Sequence, residues 1–245
     1  MAWRYTRFIA HRCGGALTPE NTLAGLHLAA RLGYRAVEFD VMLSADGVPV
    51  LIHDETLERT TNGSGGVAEL SAAALAELDA GIKHHRAFAG EALPTLLQTL
   101  DACRSLGLAA NIEIKPATGY ESETGIVVAR QVLAQTHDWP EAPLLFSSFS
   151  EAALAAALGE APELPRALLV EAVPANWRSH LQELQCTALH CAARHLQPRQ
   201  ATEIVAAGFP LGCYTVNRRE DAAPLFAAGV TAIFTDRLDL FDPRQ

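Results

Sequence analysis

Residues Glu38 to Asp54 read EFDVMLSADGVPVLIHD. Apolar residues alternate with Glu38 and Asp40, an Ala-Asp-Gly turn follows, and a second apolar run ends at His53. In a strand, residues i and i+2 share a face, so Glu38 and Asp40 project together, roughly 7 Å apart along the backbone. An ordinary buried strand would carry Val, Ile or Leu at those two positions. Burying two carboxylates there costs free energy unless a cation or another partner compensates them. The stretch therefore predicts a strand whose end holds positive charge, with a histidine returning thirteen residues after Asp40.

Upstream, Phe8 to His11 is a short apolar run with a polar end, followed by a Gly-Gly turn. The segment PENTLAGLHLAARLG has Pro19 at its start and Gly33 just past its end, the expected punctuation of a helix. With the strand Ala36–Val41 this makes a first βαβ unit. Downstream, Val48–Ile52 reads as another short strand. Sixty residues separate His53 from Glu113, about twice what one such unit needs, so residues 54–91 are expected to form a small insertion. Its ERTTNGSGGVAEL is rich in loop-forming residues.

Regular alternation then resumes. LPTLLQTLDACRSLG predicts a helix and Ala110–Lys115 a strand. Helices over Glu121–Gln135, Glu151–Leu158, Ala175–Leu184, Pro198–Ala206 and Asp221–Ala227 alternate with strands over Leu144–Ser147, Ala167–Val170, Thr187–His190, Leu211–Val216 and Thr231–Thr235. Eight main strands separated by helices argue for an α/β protein, a (β/α)8 TIM barrel spanning 1–245 as a single domain, over an open doubly wound sheet. There is no GxGxxG after a strand and no GxxxxGK[ST], so neither phosphate-cradling motif is present.

Composition narrows the functional classes. With 49% hydrophobic residues the chain can bury a sizeable core, and a net charge of −9 offers no basic face to nucleic acid or anionic lipid. The five cysteines include no CxxC pair, which predicts reduced thiols in a cytoplasmic protein. The apolar run in MAWRYTRFIAHRCGG is too short for a signal peptide, and no segment is long enough to span a membrane. Nothing in the sequence marks an oligomeric state.

In such barrels the chemistry sits at the C-terminal ends of the strands. Those ends carry His11 and Arg12, Glu38 and Asp40, Glu113 and Lys115, Ser147 and Ser148, His190, Tyr214 and Asn217, and Thr235 and Asp236. A single carboxylate at a strand end is more often solvated or ion-paired than functional. Three from neighbouring strands, Glu38, Asp40 and Glu113, suit one hard divalent cation, Mg²⁺ or Ca²⁺. Histidine is the side chain suited to proton transfer near neutral pH, so His11 and His53 are expected to serve as acid and base, and Arg12 and Lys115 to supply positive charge for an anionic substrate. Metal, cations, a proton donor and a proton acceptor are together the parts of a phosphoryl-ester hydrolase. Ser148, His190 and Tyr214 are expected to line the substrate. His27, His84, His85, His137, His180 and His195 are expected at the surface or in packing.

The set HRCGGALTPENTLAG, EFDVMLSADGVPVLIHD, LERTTNG, NIEIKP, SSFS, YTVN and FTDRLD resembles the glycerophosphodiester phosphodiesterase family, most closely its bacterial cytosolic enzymes, over almost the whole chain. The resemblance implies a (β/α)8 barrel with a small insertion after the second strand. It implies catalytic roles for His11 and His53, metal binding by Glu38, Asp40 and Glu113, and phosphate binding by Arg12 and Lys115. The implied substrates are small glycerophosphodiesters such as glycerophosphocholine or glycerophosphoethanolamine, cleaved to sn-glycerol 3-phosphate and an alcohol. Two positions depart from the family pattern: Cys13 stands where glycine usually follows the His-Arg pair, and Tyr214 stands where tryptophan is common. Gly14 and Gly15 are expected to keep the turn, and Tyr214 to keep an aromatic wall while adding a hydroxyl. Three rivals share parts of the pattern. Phospholipase D-like enzymes acting on lysophospholipids are secreted and disulfide-bearing. A non-catalytic glycerol-phosphate-binding barrel would have no need of two histidines. A sugar-phosphate isomerase would want a phosphate loop after the last strands.

Overall fold

The alternation read from the sequence closes on itself. A computed structural model describes residues 6–136, 139 and 143–244. Its strands are β1 (Phe8–Ala10), β2 (Ala36–Leu43), β3 (Pro49–Leu51), β4 (Ala109–Ile114), β5 (Leu144–Ser148), β6 (Arg166–Val170), β7 (Ala188–Ala192), β8 (Leu211–Tyr214) and β9 (Ala232–Thr235). Its helices are α1 (Leu23–Arg31), α2 (Ala72–Ala76), α3 (Leu96–Leu106), α4 (Glu121–Thr136), α5 (Glu151–Glu160), α6 (Trp177–Glu183), α7 (Pro198–Ala206) and α8 (Arg219–Ala227). All strands but β3 run parallel in the order β1-β9-β8-β7-β6-β5-β4-β2, and pairing of β1 with β2 closes the barrel. The fold is a (β/α)8 barrel. Among the described residues no helix is long and apolar enough to cross a membrane, and His137 lies outside them.

β2 is longer than the barrel needs, and its end pairs antiparallel with β3, Val41 opposite Leu51 and Leu43 opposite Pro49. The turn between them places Gly47 at φ 74, a left-handed conformation that glycine adopts without steric cost. This hairpin carries His53 back towards the strand ends. Residues 54–91 then pack through Leu57, Val67, Leu75 and Ala80 onto Met42, Val50 and Ile52, a cluster separate from the helix-facing core around Phe39, Leu100, Phe146 and Leu154.

Within the barrel, alternate residues face inward. The lower positions are filled by Ile9, Leu145 and the alanines at 36, 109, 167, 188 and 232. Small side chains there let eight strands fill the interior without voids. Two residues further along, the inward positions are polar on β2, β4, β5 and β7, at Glu38, Asn111, Ser147 and His190, and at His11 just after β1. At the opposite end, Arg166 is buried and donates to the carbonyls of Ala161, Pro162, Leu164, Leu184 and Gln185. Ala161 and Leu184 are the C-caps of α5 and α6, so the guanidinium satisfies carbonyls that two helix ends leave unpaired.

Helix boundaries differ from expectation by two residues at the starts of α6 and α8 and by more at α1. α1 begins at Leu23, not near Pro19, because Asn21 sits at φ 57 and interrupts any helix begun earlier. That turn places Glu20 and Asn21 where the strand ends need them.

Candidate active site

A cavity of about 540 Å³ opens at the C-terminal mouth of the barrel, lined on one side by His11, Arg12, Glu38, Asp40, His53, Asn111, Glu113 and Lys115. Strand register explains the grouping: β2 and β4 pair with Glu38 beside Asn111 and Asp40 beside Glu113. Oxygens of Glu38, Asp40 and Glu113 all lie within 4.8 Å of one another. All three residues are buried, Asp40 to 1% exposure.

The loop after β1 braces this cluster. Arg12 N–H donates to Glu38 Oε2 at 2.9 Å, and Cys13 N–H donates to the Glu38 carbonyl at 2.8 Å. Asn21 clamps Asp40, donating from Nδ2 to Oδ2 at 2.9 Å and accepting from the Asp40 N–H at 3.1 Å. The chain turns here through left-handed conformations at Arg12 (φ 49) and Cys13 (φ 71) as well as Gly15 (φ 58). The turn is therefore not made by the glycines alone; Cys13 takes up a conformation that glycine adopts without strain. Gly15 is needed for a second reason, since a Cβ there would lie 2.3 Å from the Asp236 carbonyl oxygen.

Two buried oxygens in the cluster lack hydrogen-bond partners among the described residues, Glu38 Oε1 and Asn111 Oδ1. Burial, with the charges of Asp40 and Glu113, pushes Glu38 well above the usual carboxylate range. Burial and Asp40 push Glu113 up to about 7. A hard cation ligated by oxygen would meet the orphaned acceptors and reverse both shifts. The residues present fit such an ion.

The histidines are held alike. His11 Nδ1 lies 2.6 Å from Asp236 Oδ1, and His53 Nδ1 lies 2.6 Å from Asp54 Oδ1. An Nδ1–H donated to a carboxylate leaves Nε2 facing the cavity. Asn217 in turn donates to Asp236 Oδ2 at 2.9 Å and accepts the Asp236 N–H at 2.8 Å. Lys115 Nζ lies 3.0 Å from His53 Nε2, 3.3 Å from Glu113 Oε1 and 3.7 Å from Asp40 Oδ1. Burial alone would lower the lysine pKa, but Glu113 and Asp40 outweigh it and hold the ammonium charged. Lys115 therefore donates to His53 Nε2, which accepts as neutral imidazole. Burial also lowers the His53 pKa.

Comparison with known proteins agrees with this geometry. The model of the glycerophosphoryl diester phosphodiesterase family matches residues 11–240. The chain belongs to the glycerophosphoryl diester phosphodiesterase family. A glycerophosphodiester phosphodiesterase of Caldanaerobacter subterraneus subsp. tengcongensis is 35% identical, with 94% of each chain covered. One from Bacillus subtilis is 31% identical, covering 95% of this chain and 84% of the relative. A solved phosphodiesterase of Oleispira antarctica, in complex with its product sn-glycerol-3-phosphate, superposes with a TM-score of 0.87 at 37% identity, over 97% of this chain and 94% of the other. Membership of the glycerophosphoryl diester phosphodiesterase family makes the chain a phosphodiester hydrolase.

Of the residues expected to line substrate, the structure brings one into the cavity. Tyr214 forms part of its far wall with Phe149, Leu169, Glu171 and Arg194. Its hydroxyl is not offered to the cavity but donates to the Val170 carbonyl at 2.7 Å. Ser148 faces away from the barrel interior and donates to the Ile114 carbonyl at 2.5 Å, linking β5 to β4. His190 is fully buried against Phe234, ring centroids 5.0 Å apart, outside the cavity lining. The residues that the sequence reading left without a role are Asp54, Asp236 and Asn217 behind the histidines, Asn21 and Asn111 at the acids, and Phe149 on the wall. Parity offered a signal for the last. Leu145 and Ser147 face inward, so position 149 does too and position 148 does not.

Proposed function

We propose that the chain hydrolyses glycerophosphodiesters, deacylated phospholipids such as glycerophosphocholine or glycerophosphoethanolamine, to sn-glycerol 3-phosphate and an alcohol, with one divalent cation, Mg²⁺ or Ca²⁺. The observation that carries this reading is the pair of histidines at one cavity, each with a carboxylate 2.6 Å behind its Nδ1. Binding a phosphate needs cations. Two oriented imidazoles beside it are the equipment for moving protons.

On this reading Glu38, Asp40 and Glu113 hold the cation. When bound, it supplies charge neutralisation at the oxygens of the phosphodiester. Arg12 and Lys115 add positive charge for the non-bridging oxygens. His53, neutral at Nε2, takes the proton from the attacking oxygen, of water or of the neighbouring glycerol hydroxyl, once Lys115 turns from the imidazole to the anionic phosphate; in the second case water then opens the cyclic phosphate to sn-glycerol 3-phosphate. His11 gives the proton from its Nε2 to the departing alkoxide, and Asp236 stabilises the imidazolium before that transfer. The wall of Phe149, Leu169 and Tyr214 receives an organic part of the substrate. We read the chain as one catalytic domain, with residues 54–91 as a small insertion. All five cysteines are free thiols, which supports a cytoplasmic location.

The test supplies glycerophosphocholine or glycerophosphoethanolamine with Mg²⁺, with Ca²⁺, or with excess chelator, and measures sn-glycerol 3-phosphate. Cation-dependent release is expected. Full release in chelator would remove the cation from the reading, and no release under any condition would overturn it.

A further inference from the structure

Arg59 lies outside the cavity lining, in the ERTTNG segment of residues 54–91, with its side chain 45% exposed. It nevertheless makes four hydrogen bonds to two carboxylates. Nη1 donates to Glu20 Oε2 at 2.7 Å and Nη2 to Glu20 Oε1 at 2.8 Å. Nε donates to Asp54 Oδ2 at 2.5 Å and Nη2 to Asp54 Oδ1 at 3.0 Å. Each carboxylate also holds a cavity residue from behind. Glu20 Oε1 accepts from Arg12 Nη1 at 3.0 Å, and Asp54 Oδ1 lies 2.6 Å from His53 Nδ1. The result is an unbroken chain, Arg12–Glu20–Arg59–Asp54–His53.

We propose that Arg59 is a positioning residue that couples the phosphate-facing arginine to the proton-accepting histidine, and that this coupling is a function of residues 54–91. The inference rests on the reading of the site given above. Without the guanidinium, Glu20 and Asp54 face each other as like charges, and neither has a partner to fix its plane. Asp54 then turns away from His53 Nδ1, and Arg12 loses the carboxylate that aims it. Lysine cannot substitute, because a point charge does not hold two planar carboxylates in fixed orientations as a guanidinium fork does. Arg59 also holds the Asp54 pKa down through its hydrogen bonds, so Asp54 remains an anion behind His53 throughout turnover.

Exposure gives the proposal its distinguishing signature. Arg59 is open to solvent and its carboxylates are 21% and 29% exposed, so its ion pairs contribute modestly to stability, and loss of Arg59 is expected to cost activity far more than folding. The experiment compares wild type, Arg59→Ala, Arg59→Lys, Asp54→Asn and Arg59→Ala/Asp54→Asn by release of glycerol 3-phosphate from glycerophosphocholine with Mg²⁺, alongside thermal unfolding. Arg59→Ala is expected to lose about 10–100-fold in kcat and to raise KM through Arg12, with the protein still folded and its melting temperature lowered by no more than a few degrees. Arg59→Lys recovers little, whereas added methylguanidinium restores part of the Arg59→Ala rate. In the Asp54→Asn background, Arg59→Ala lowers kcat little further, because the two act on His53 as a unit. Turnover by Arg59→Ala within threefold of wild type, or a loss that tracks a lower melting temperature, would overturn the proposal. An inactive wild type would instead indict the reading of the site itself.

Discussion

His11 and Asp236 stand 225 positions apart in sequence, yet Nδ1 and Oδ1 lie 2.6 Å apart. They follow β1 and β9, the strands whose pairing registers Ala10 with Thr235. Closure of the barrel is thus what fixes the tautomer of His11. Asp236→Asn keeps the shape but can present an amide N–H to Nδ1, which selects the wrong tautomer. We expect kcat to fall about 10²–10⁴-fold with the melting temperature within a few degrees of wild type. Steady-state kinetics and thermal unfolding check both. Undiminished turnover would show that His11 does not depend on Asp236.

His53 provides a prediction in pH. Its pKa is lowered from 6.5 by burial, and a base works only when deprotonated. The limb of kcat/KM that rises with pH therefore lies below about 6.5. His53→Ala should cost about 10²–10⁴-fold in kcat and abolish that limb. A profile on which the variant keeps the limb would reassign the base.

The acid cluster is expected to make stability depend on a divalent cation. In its absence Glu113 is raised from 4.5 to about 7, so the folded protein binds more protons than the unfolded chain between those values. Stability then falls as pH rises through that window. Mg²⁺ or Ca²⁺ in excess should flatten the fall and raise the melting temperature, by about 2.7 kcal/mol at one hundred times Kd. Glu113→Gln should reduce the pH dependence without cation, leaving the part due to Glu38, and weaken the shift with it. Melting curves from pH 4 to about 8, with and without chelator, decide.

Arg166 tests the fold apart from the site. Arg166→Leu leaves several buried carbonyls at the ends of α5 and α6 without a donor. It should cost about 2–4 kcal/mol, lowering the melting temperature by ~2–4 °C for each. Turnover per folded molecule should not change, because Arg166 sits at the end of the barrel remote from the cavity.

The barrel was legible in the sequence because eight apolar runs alternate with punctuated helices, and because the long gap before Glu113 announced residues 54–91. The acids and both histidines were legible as breaks in that pattern, charge where a strand should be apolar. What lay behind them was not. Asp54 reads as one more loop acid, and Asp236 as a strand-end residue with nothing to show that closure brings it to His11. Ser148 was misplaced for a simpler reason: inward parity passes from Ser147 to Phe149, and strand-end position alone ignores parity. His190 has inward parity but sits too low, packed on Phe234. Asn21 could be found only from backbone conformation, since its φ of 57 is what ends one turn and aims its amide at Asp40.

The inward residues divide the barrel unequally. Strands β9, β1, β2 and β4, with the hairpin, carry every acid and histidine assigned above to chemistry, whereas Phe149, Leu169, Glu171, Arg194 and Tyr214 come from β5 to β8. Reaction and selectivity are thus inherited on separate arcs of one ring. On the proposed reading, loops beyond β5, β6 and β7 can be exchanged to accept a different alcohol while the proton-transfer apparatus keeps its scaffold, whereas the loop after β8 carries Asn217, which holds Asp236, and is not free to change.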